Sequence, residues 1–246
     1  MQQVTGEPQD KGAHLRRFLL AACLAGLPST ANACEIALAL AIDVSGSVDA
    51  DEYYLQMQGL ADALRDSTIV DALVKAQAKV TLIQWTGDSR QIVSVPWTET
   101  TNIADVEGLA VAVETAPRRW RHFSTAIGAA LDFTVAEFNG ITDCARHVID
   151  VSGDGPSNEG VEPEQMRSQI WRAGITVNGL AIETNDDDLT TYYWENVVVG
   201  EQAFVMTANG FEDYPKRIKL KLLREVTQQV SQTPVAPKII PVAQLP

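Results

Sequence analysis

The sequence predicts an α/β fold: a doubly wound, mostly parallel six-stranded sheet with one antiparallel edge strand and helices on both faces. Three observations carry that expectation. Short apolar runs alternate with stretches of helical periodicity along most of the chain, the pattern of strand–helix–strand units. The first run, residues 36–42, is continuously apolar, as a central strand buried on both faces requires. Two further runs, 80–85 and 91–95, are joined only by "TGDSR", a hairpin-length link that makes this pair antiparallel.

The elements follow in order. After the 36–42 strand, Asp49 can cap a helix with Glu52 three residues on. Tyr53, Met57, Leu60 and Leu64 then recur at helical spacing. Beyond the hairpin, residues 102–115 and 124–138 read as helices, and 148–151 as a strand ending in "SGDG". A helix at 162–172, a strand at 175–182, a short helix at 189–197 and a strand at 203–206 complete the alternation, and 214–230 is the final helix. The tail, 231–246, has four prolines and no period, and is expected to be extended or disordered. "NDDD" at 185–188 reads as a helix start, since acids favour the first turn.

Composition narrows the function. With 46% hydrophobic and 21% charged residues in 246, the chain has the make-up of a globular domain, and its formal charge of −13 argues against nucleic acid as a partner. Near the N-terminus, Arg16 and Arg17 precede an apolar stretch at 18–27. Pro28 and the small-residue pattern Ala31-Asn32-Ala33 follow, the layout of a secretory signal peptide cut after Ala33. The division expected is therefore 1–33 extension and signal, 34–230 domain, 231–246 tail. Cleavage removes three of the 19 basic and two of the 32 acidic residues, leaving a charge of −14. The product would be periplasmic or secreted, with no transmembrane span in the mature chain. Cys23 leaves with the signal, so Cys34 and Cys144 remain, an even pair that suggests one disulfide in an exported protein. Lipid attachment at Cys34 competes with it, but Ala31 stands where a lipobox wants leucine.

In a doubly wound sheet, ligands bind beyond the C-terminal ends of the strands near the topological switch point. That promotes "DVSGS" (residues 43–47) and "SGDG" (152–155). It demotes His147, inside a strand pattern, to a structural role, and it expects Asp150 to be paired, because a lone buried carboxylate is costly.

These residues carry a resemblance. "DVSGS" is similar to the D-x-S-x-S motif of von Willebrand factor A domains and integrin I domains, whose metal ion-dependent adhesion site is built from three loops. "TAIGAAL", with Thr125, Gly128, Ala130 and Leu131, resembles the second loop. "SGDGPSN" resembles the third and supplies Asp154, with Gly153 in place of the usual threonine, which leaves more room beside Asp154. Ile127 likewise replaces a second threonine often found in loop two. The resemblance spans roughly residues 35–230 and points to a bacterial exported branch without an assigned function. It implies Asp43, Ser45, Ser47, Thr125 and Asp154 as ligands of one divalent cation, Mg²⁺ first, with Mn²⁺ and Ca²⁺ as alternatives. It implies a non-enzymatic role in which the ion captures a Glu or Asp side chain of a protein partner. The chemistry agrees, since hard cations take oxygen ligands and Mg²⁺ keeps several waters.

A second class is a haloacid dehalogenase-like, Mg-dependent phosphatase using Asp43 as nucleophile. Such an enzyme needs an acid two residues later, where Ser45 stands, and an aspartate where Asn158 stands. A serine hydrolase lacks its G-x-S-x-G. Just ahead of Thr125, Arg118, Arg119, Trp120 and Arg121 form a basic and aromatic cluster expected near the metal face, a candidate rim for an acidic partner. Finally, the A-domain topology implies a Cys34–Cys144 disulfide. The strands ending at Asp43 and Asp154 would be neighbours, and the cysteines precede those aspartates by nine and ten residues.

Overall fold

The computed structural model describes residues 34–184 and 188–227. The expected signal segment, the C-terminal tail and most of "NDDD" lie outside those residues. Six strands form one sheet in the order β3-β2-β1-β4-β5-β6. They are β1 (Ile36–Asp43), β2 (Lys79–Trp85), β3 (Gln91–Glu99), β4 (Arg146–Gly153), β5 (Ile175–Ile182) and β6 (Val205–Ala208). Only β2 and β3 pair antiparallel, with β3 at the edge. The doubly wound α/β fold is the one expected, and the strand order reverses between β1 and β4.

β1 shows why both faces are covered. Its eight residues are all buried. Ile36, Leu38, Leu40 and Ile42 pack against α1 (Ala50–Leu64), α2 (Ser67–Ala76), α3 (Ile103–Glu114) and α7 (Tyr214–Thr227). Ala37, Ala39 and Ala41 face α4 (Ile127–Glu137) and α5 (Pro163–Arg172), the alternation a pleated strand imposes. The same second face receives α6 (Leu189–Tyr192), which runs on into a π-helical turn, Tyr193–Val197.

The expected capping box at α1 is present: the Asp49 side chain accepts from the Asp51 and Glu52 amides, and Glu52 accepts from the Asp49 amide. Four differences from expectation have physical causes. The helix α2 was not anticipated, although Asp66 caps it and Ile69, Leu73 and Ala76 bury its inner face. Its β-branched start, Thr68-Ile69-Val70, masks a helical period. β3 continues past the expected end at Val95 and through Pro96 to Glu99. Pro96 falls between the paired residues Val95 and Thr98, on an edge strand with shifted register, where its missing N–H costs no ladder bond. α4 begins at Ile127 rather than Ser124, because the amides of Thr125 and Ala126 are engaged by Asn158 and the Thr86 carbonyl. β6 starts at Val205, two residues beyond the expected 203, because the Phe204 amide is taken by the Asn178 side chain rather than by a strand neighbour.

His147 and Asp150 have the structural roles expected. A His147 ring nitrogen lies 2.8 Å from the Ile141 carbonyl, and the ring packs edge-on to Phe138. Asp150 lies 2.6 Å from the buried Lys221 ammonium. A disulfide joins Cys34 to Cys144 across the starts of β1 and β4, with Cα atoms 4.4 Å apart. Asp188 caps α6, accepting from Thr191. Among the described residues no helix is long and apolar enough to cross a membrane.

Candidate metal centre

The site is built at the C-terminal ends of β1 and β4, where the sheet order reverses. β1 delivers Asp43 as its last residue, fully buried. The chain then turns tightly enough for the Ser45 amide to donate to Asp43 Oδ1 at 2.7 Å. The Ser45 and Ser47 hydroxyls lie 3.2 Å apart, and Ser47 donates to Asp154 Oδ1 at 2.7 Å. Four of the five expected ligands are thus brought together directly.

Thr125, the fifth, is held to this group through its backbone. Asn158 accepts from the Thr125 amide at 2.9 Å, and its own amide donates to the Thr125 carbonyl at 2.8 Å, locking loop two to loop three. Two residues earlier, the Phe123 carbonyl accepts from the Gly46 amide at 2.8 Å, locking loop two to loop one. A side chain at residue 46 would meet that carbonyl at 3.2 Å, so the close approach favours glycine.

Arg118 is the second clamp. Its guanidinium donates to the carbonyls of Val44, Ser45, Val48 and Asp49, and its Nε to that of Trp120. Of the expected rim residues, Arg118 therefore faces inward onto loop one, whereas Arg119 and Arg121 are exposed and Trp120 is half-buried. A planar fork with five donors suits such a task; a lysine could not span it.

The electrostatics are unbalanced. Burial, and then the charge of Asp154, push the Asp43 carboxyl up to about 8. Burial also raises Asp154 above the usual carboxylate range. Asp43 Oδ2 is buried and has no hydrogen-bond partner, an arrangement that costs free energy unless something else engages it. Among the described residues no group of three or more His, Cys, Asp or Glu is placed to hold a metal. Any cation here would rest on two carboxylates and neutral hydroxyls. That all-oxygen donor set fits a hard ion such as Mg²⁺, Mn²⁺ or Ca²⁺.

Two residues at the site, Asn158 and Tyr193, were not singled out from the sequence as parts of it, and Arg118 was expected as a rim residue rather than as a clamp on loop one. Asn158 and Arg118 act through backbone groups of distant loops, which no spacing rule reveals. Tyr193, whose hydroxyl lies beside Gly153, is 150 positions from Asp43.

The sheet order and the distribution of helices give the chain a fold similar to that of von Willebrand factor A proteins. More narrowly, the chain belongs to the family described as "Protein of unknown function (DUF1194)", which matches residues 33–230. No curated protein matches the chain in sequence. Solved structures share the fold at low identity. Proximal thread matrix protein 1 from the mussel byssus is 19% identical, with a TM-score of 0.59, covering 79% of this chain and 47% of that one. A further structure of it, described as having a zinc-occupied MIDAS motif, gives 18%, 0.56, 79% and 46%. The pilus adhesin SpaC from Lactobacillus rhamnosus GG, in an open conformation, gives 14%, 0.59, 79% and 31%. A von Willebrand factor type A protein from Catenulispora acidiphila gives 13%, 0.56, 80% and 44%. The chain thus spans about half or less of the length of these proteins.

Proposed function

We propose that this protein is an exported, metal-dependent protein-binding domain, in which Asp43, Ser45, Ser47, Thr125 and Asp154 hold one divalent cation. Mg²⁺ is the first choice, with Mn²⁺ or Ca²⁺ as alternatives. The observation that carries the reading is Asp43 Oδ2: a buried carboxylate oxygen without a partner, beside a second carboxylate, at the meeting point of three loops. A divalent ion there would offset both charges, and it would supply Lewis acidity toward one further oxygen ligand, which we assign to a Glu or Asp side chain of a partner protein. The protein's own part is positional. Arg118 and Asn158 fix the loop backbones, and the Ser47–Asp154 bond sets the spacing between loops one and three. Exposed Arg119 and Arg121 form a basic rim suited to an acidic partner segment. The zinc-occupied site described for the mussel protein supports the cation, and the Cys34–Cys144 disulfide supports export.

A binding role is favoured over phosphate-ester hydrolysis because buried Ser45, bonded within the loop, stands where the phosphatase would need its acid. Titration calorimetry tests the site. Mg²⁺ or Mn²⁺ is expected to bind at a stoichiometry of about one, as a single site of this kind requires. Asp43→Ala and Asp154→Ala should each abolish or greatly weaken binding while the far-ultraviolet dichroism is kept, and undiminished titration of either variant would remove the assignment. Capture of a partner from envelope extract should then be lost with chelator.

A further inference from the structure

The π-helical turn after α6 inserts Tyr193 into the sheet face beneath the candidate metal centre, and two strand glycines make room for it. A Cβ on Gly179 of β5 would lie 2.8 Å from Tyr193 Cδ1, and one on Gly153 of β4 would lie 2.7 Å from the Tyr193 hydroxyl. Gly179 lies inside β5, where glycine weakens a strand, and Gly153 ends the neighbouring β4; the two face one side chain and mark a slot made for it. Tyr193 fills it completely, with no exposed surface.

Its hydroxyl has no hydrogen-bond partner. A phenylalanine would occupy the same slot without burying an unpaired polar group, so packing alone does not account for the tyrosine. The same Cβ position on Gly153 lies 2.9 Å from Asp43 Oδ2, the other unpartnered oxygen of the site. Two orphaned oxygens thus flank one point. One belongs to a phenol, which can donate; the other to a carboxylate, which when ionised can only accept. Asp43 Oδ1 is already satisfied by the Ser45 amide, which leaves Oδ2 as the acceptor.

We propose that Tyr193 is a positioning residue of the metal centre: its phenol, admitted by Gly153 and Gly179 and itself without a partner, turns to donate to Asp43 Oδ2 when a bound cation keeps that carboxylate ionised, and so fixes it in the orientation that holds the ion. The inference rests on the metal-site reading above. Outer-shell donors to ligating carboxylates commonly set metal affinity by one to two orders of magnitude.

The test is Tyr193→Phe in the full chain, with Mn²⁺ affinity followed by electron paramagnetic resonance and thermal unfolding measured in chelator and in saturating Mg²⁺. The variant is expected to bind Mn²⁺ about 10-fold more weakly. In chelator it should unfold at the same temperature as wild type or higher, because an unpaired buried hydroxyl has been removed. Gly153→Ala, which keeps the phenol but places a methyl group between it and Asp43, should lose a similar factor. The double variant should bind no more weakly than either single one, since both break one interaction. Wild-type affinity in Tyr193→Phe, or additive losses in the double variant, would overturn the role of Tyr193 and leave the metal site standing. Absence of Mn²⁺ binding in the wild-type protein would instead overturn the underlying reading.

Discussion

Arg118 carries more of the loop architecture than any proposed ligand, since one guanidinium satisfies carbonyls at Val44, Ser45, Val48 and Asp49 and the Nε reaches a fifth at Trp120. Its removal would take this donor from the half-buried Val44 and Val48 carbonyls and leave the Gly46–Phe123 bond to hold loop two to loop one. Arg118→Ala should therefore cost about 2–4 kcal/mol in chemical denaturation, from charge-assisted bonds of roughly 1.5–3 kcal/mol each that water partly replaces. Arg118→Lys should recover less than half of this, because an ammonium cannot span the fork. Cation affinity should fall in both variants; a stability loss under 1 kcal/mol in Arg118→Ala would contradict the clamp role. The contrast with the candidate ligands shows what a sequence can express. Asp43, Ser45, Ser47 and Asp154 sit within two short motifs at strand ends, so their pattern was legible. Arg118 was legible only as part of a basic cluster, because its partners are main-chain oxygens with no sequence signature. Tyr193 owes its position to two glycines on other strands.

At the scale of elements, the period of the apolar residues was enough to place every strand and all but one helix, and the failures came where a local preference opposed the tertiary one, as in the β-branched start of α2 and at Pro96. The docking of α7 was also hidden. Its inner face carries Lys221 and Glu225, both fully buried. Lys221 Nζ lies 2.6 Å from Asp150 on β4 and 2.7 Å from Glu225, which also accepts from Asn178 on β5. Arg146 donates to the Glu225 carbonyl. Two carboxylates share one ammonium, and burial followed by the charge of Asp150 pushes the Glu225 carboxyl up to about 7. Between its unfolded value near 4.5 and about 7, the native state thus holds a proton that the unfolded chain has lost. Glu225 therefore lowers stability as pH rises through that window, and the loss persists above it. Asp43 adds a contribution of the same sign when no cation is bound. Glu225→Gln mimics the protonated form, so in chelator its stability should decline less than wild type from pH 4.5 to 7.5 and should equal or exceed it at pH 7.5. Parallel pH profiles for the two proteins would show that Glu225 stays ionised.

Across the whole molecule, the disulfide and the candidate metal centre occupy opposite ends of the same two strands. Cys34 and Cys144 stand just before β1 and β4, in register, with the Ala145 amide donating to the Cys34 carbonyl and the Ile36–Arg146 pair following. The strands then run side by side to Ile42 and Ser152, one residue short of Asp43 and Gly153. The cross-link spans 110 residues, a separation that includes β2, β3 and four helices. Its main effect is on the unfolded chain, where closing a loop of this length removes about 4–5 kcal/mol worth of conformational freedom in the chain-entropy account. The native loops around Asp43 and Asp154 lie a full strand length away and share no contact with it. Cys34→Ser/Cys144→Ser should accordingly lower the denaturation free energy by up to about 4–5 kcal/mol. Under conditions where the variant remains folded, its cation affinity should stay within roughly a factor of two of wild type, as expected for distant, independent sites. The bond itself is checked by intact mass before and after reduction, where a gain of two hydrogens identifies one disulfide and a lipid adduct on Cys34 would exclude it. A fall in affinity that tracks the fall in stability would mean that the bottom of the sheet and the loops at its top form one cooperative unit, and would refute the separation argued from the strand register.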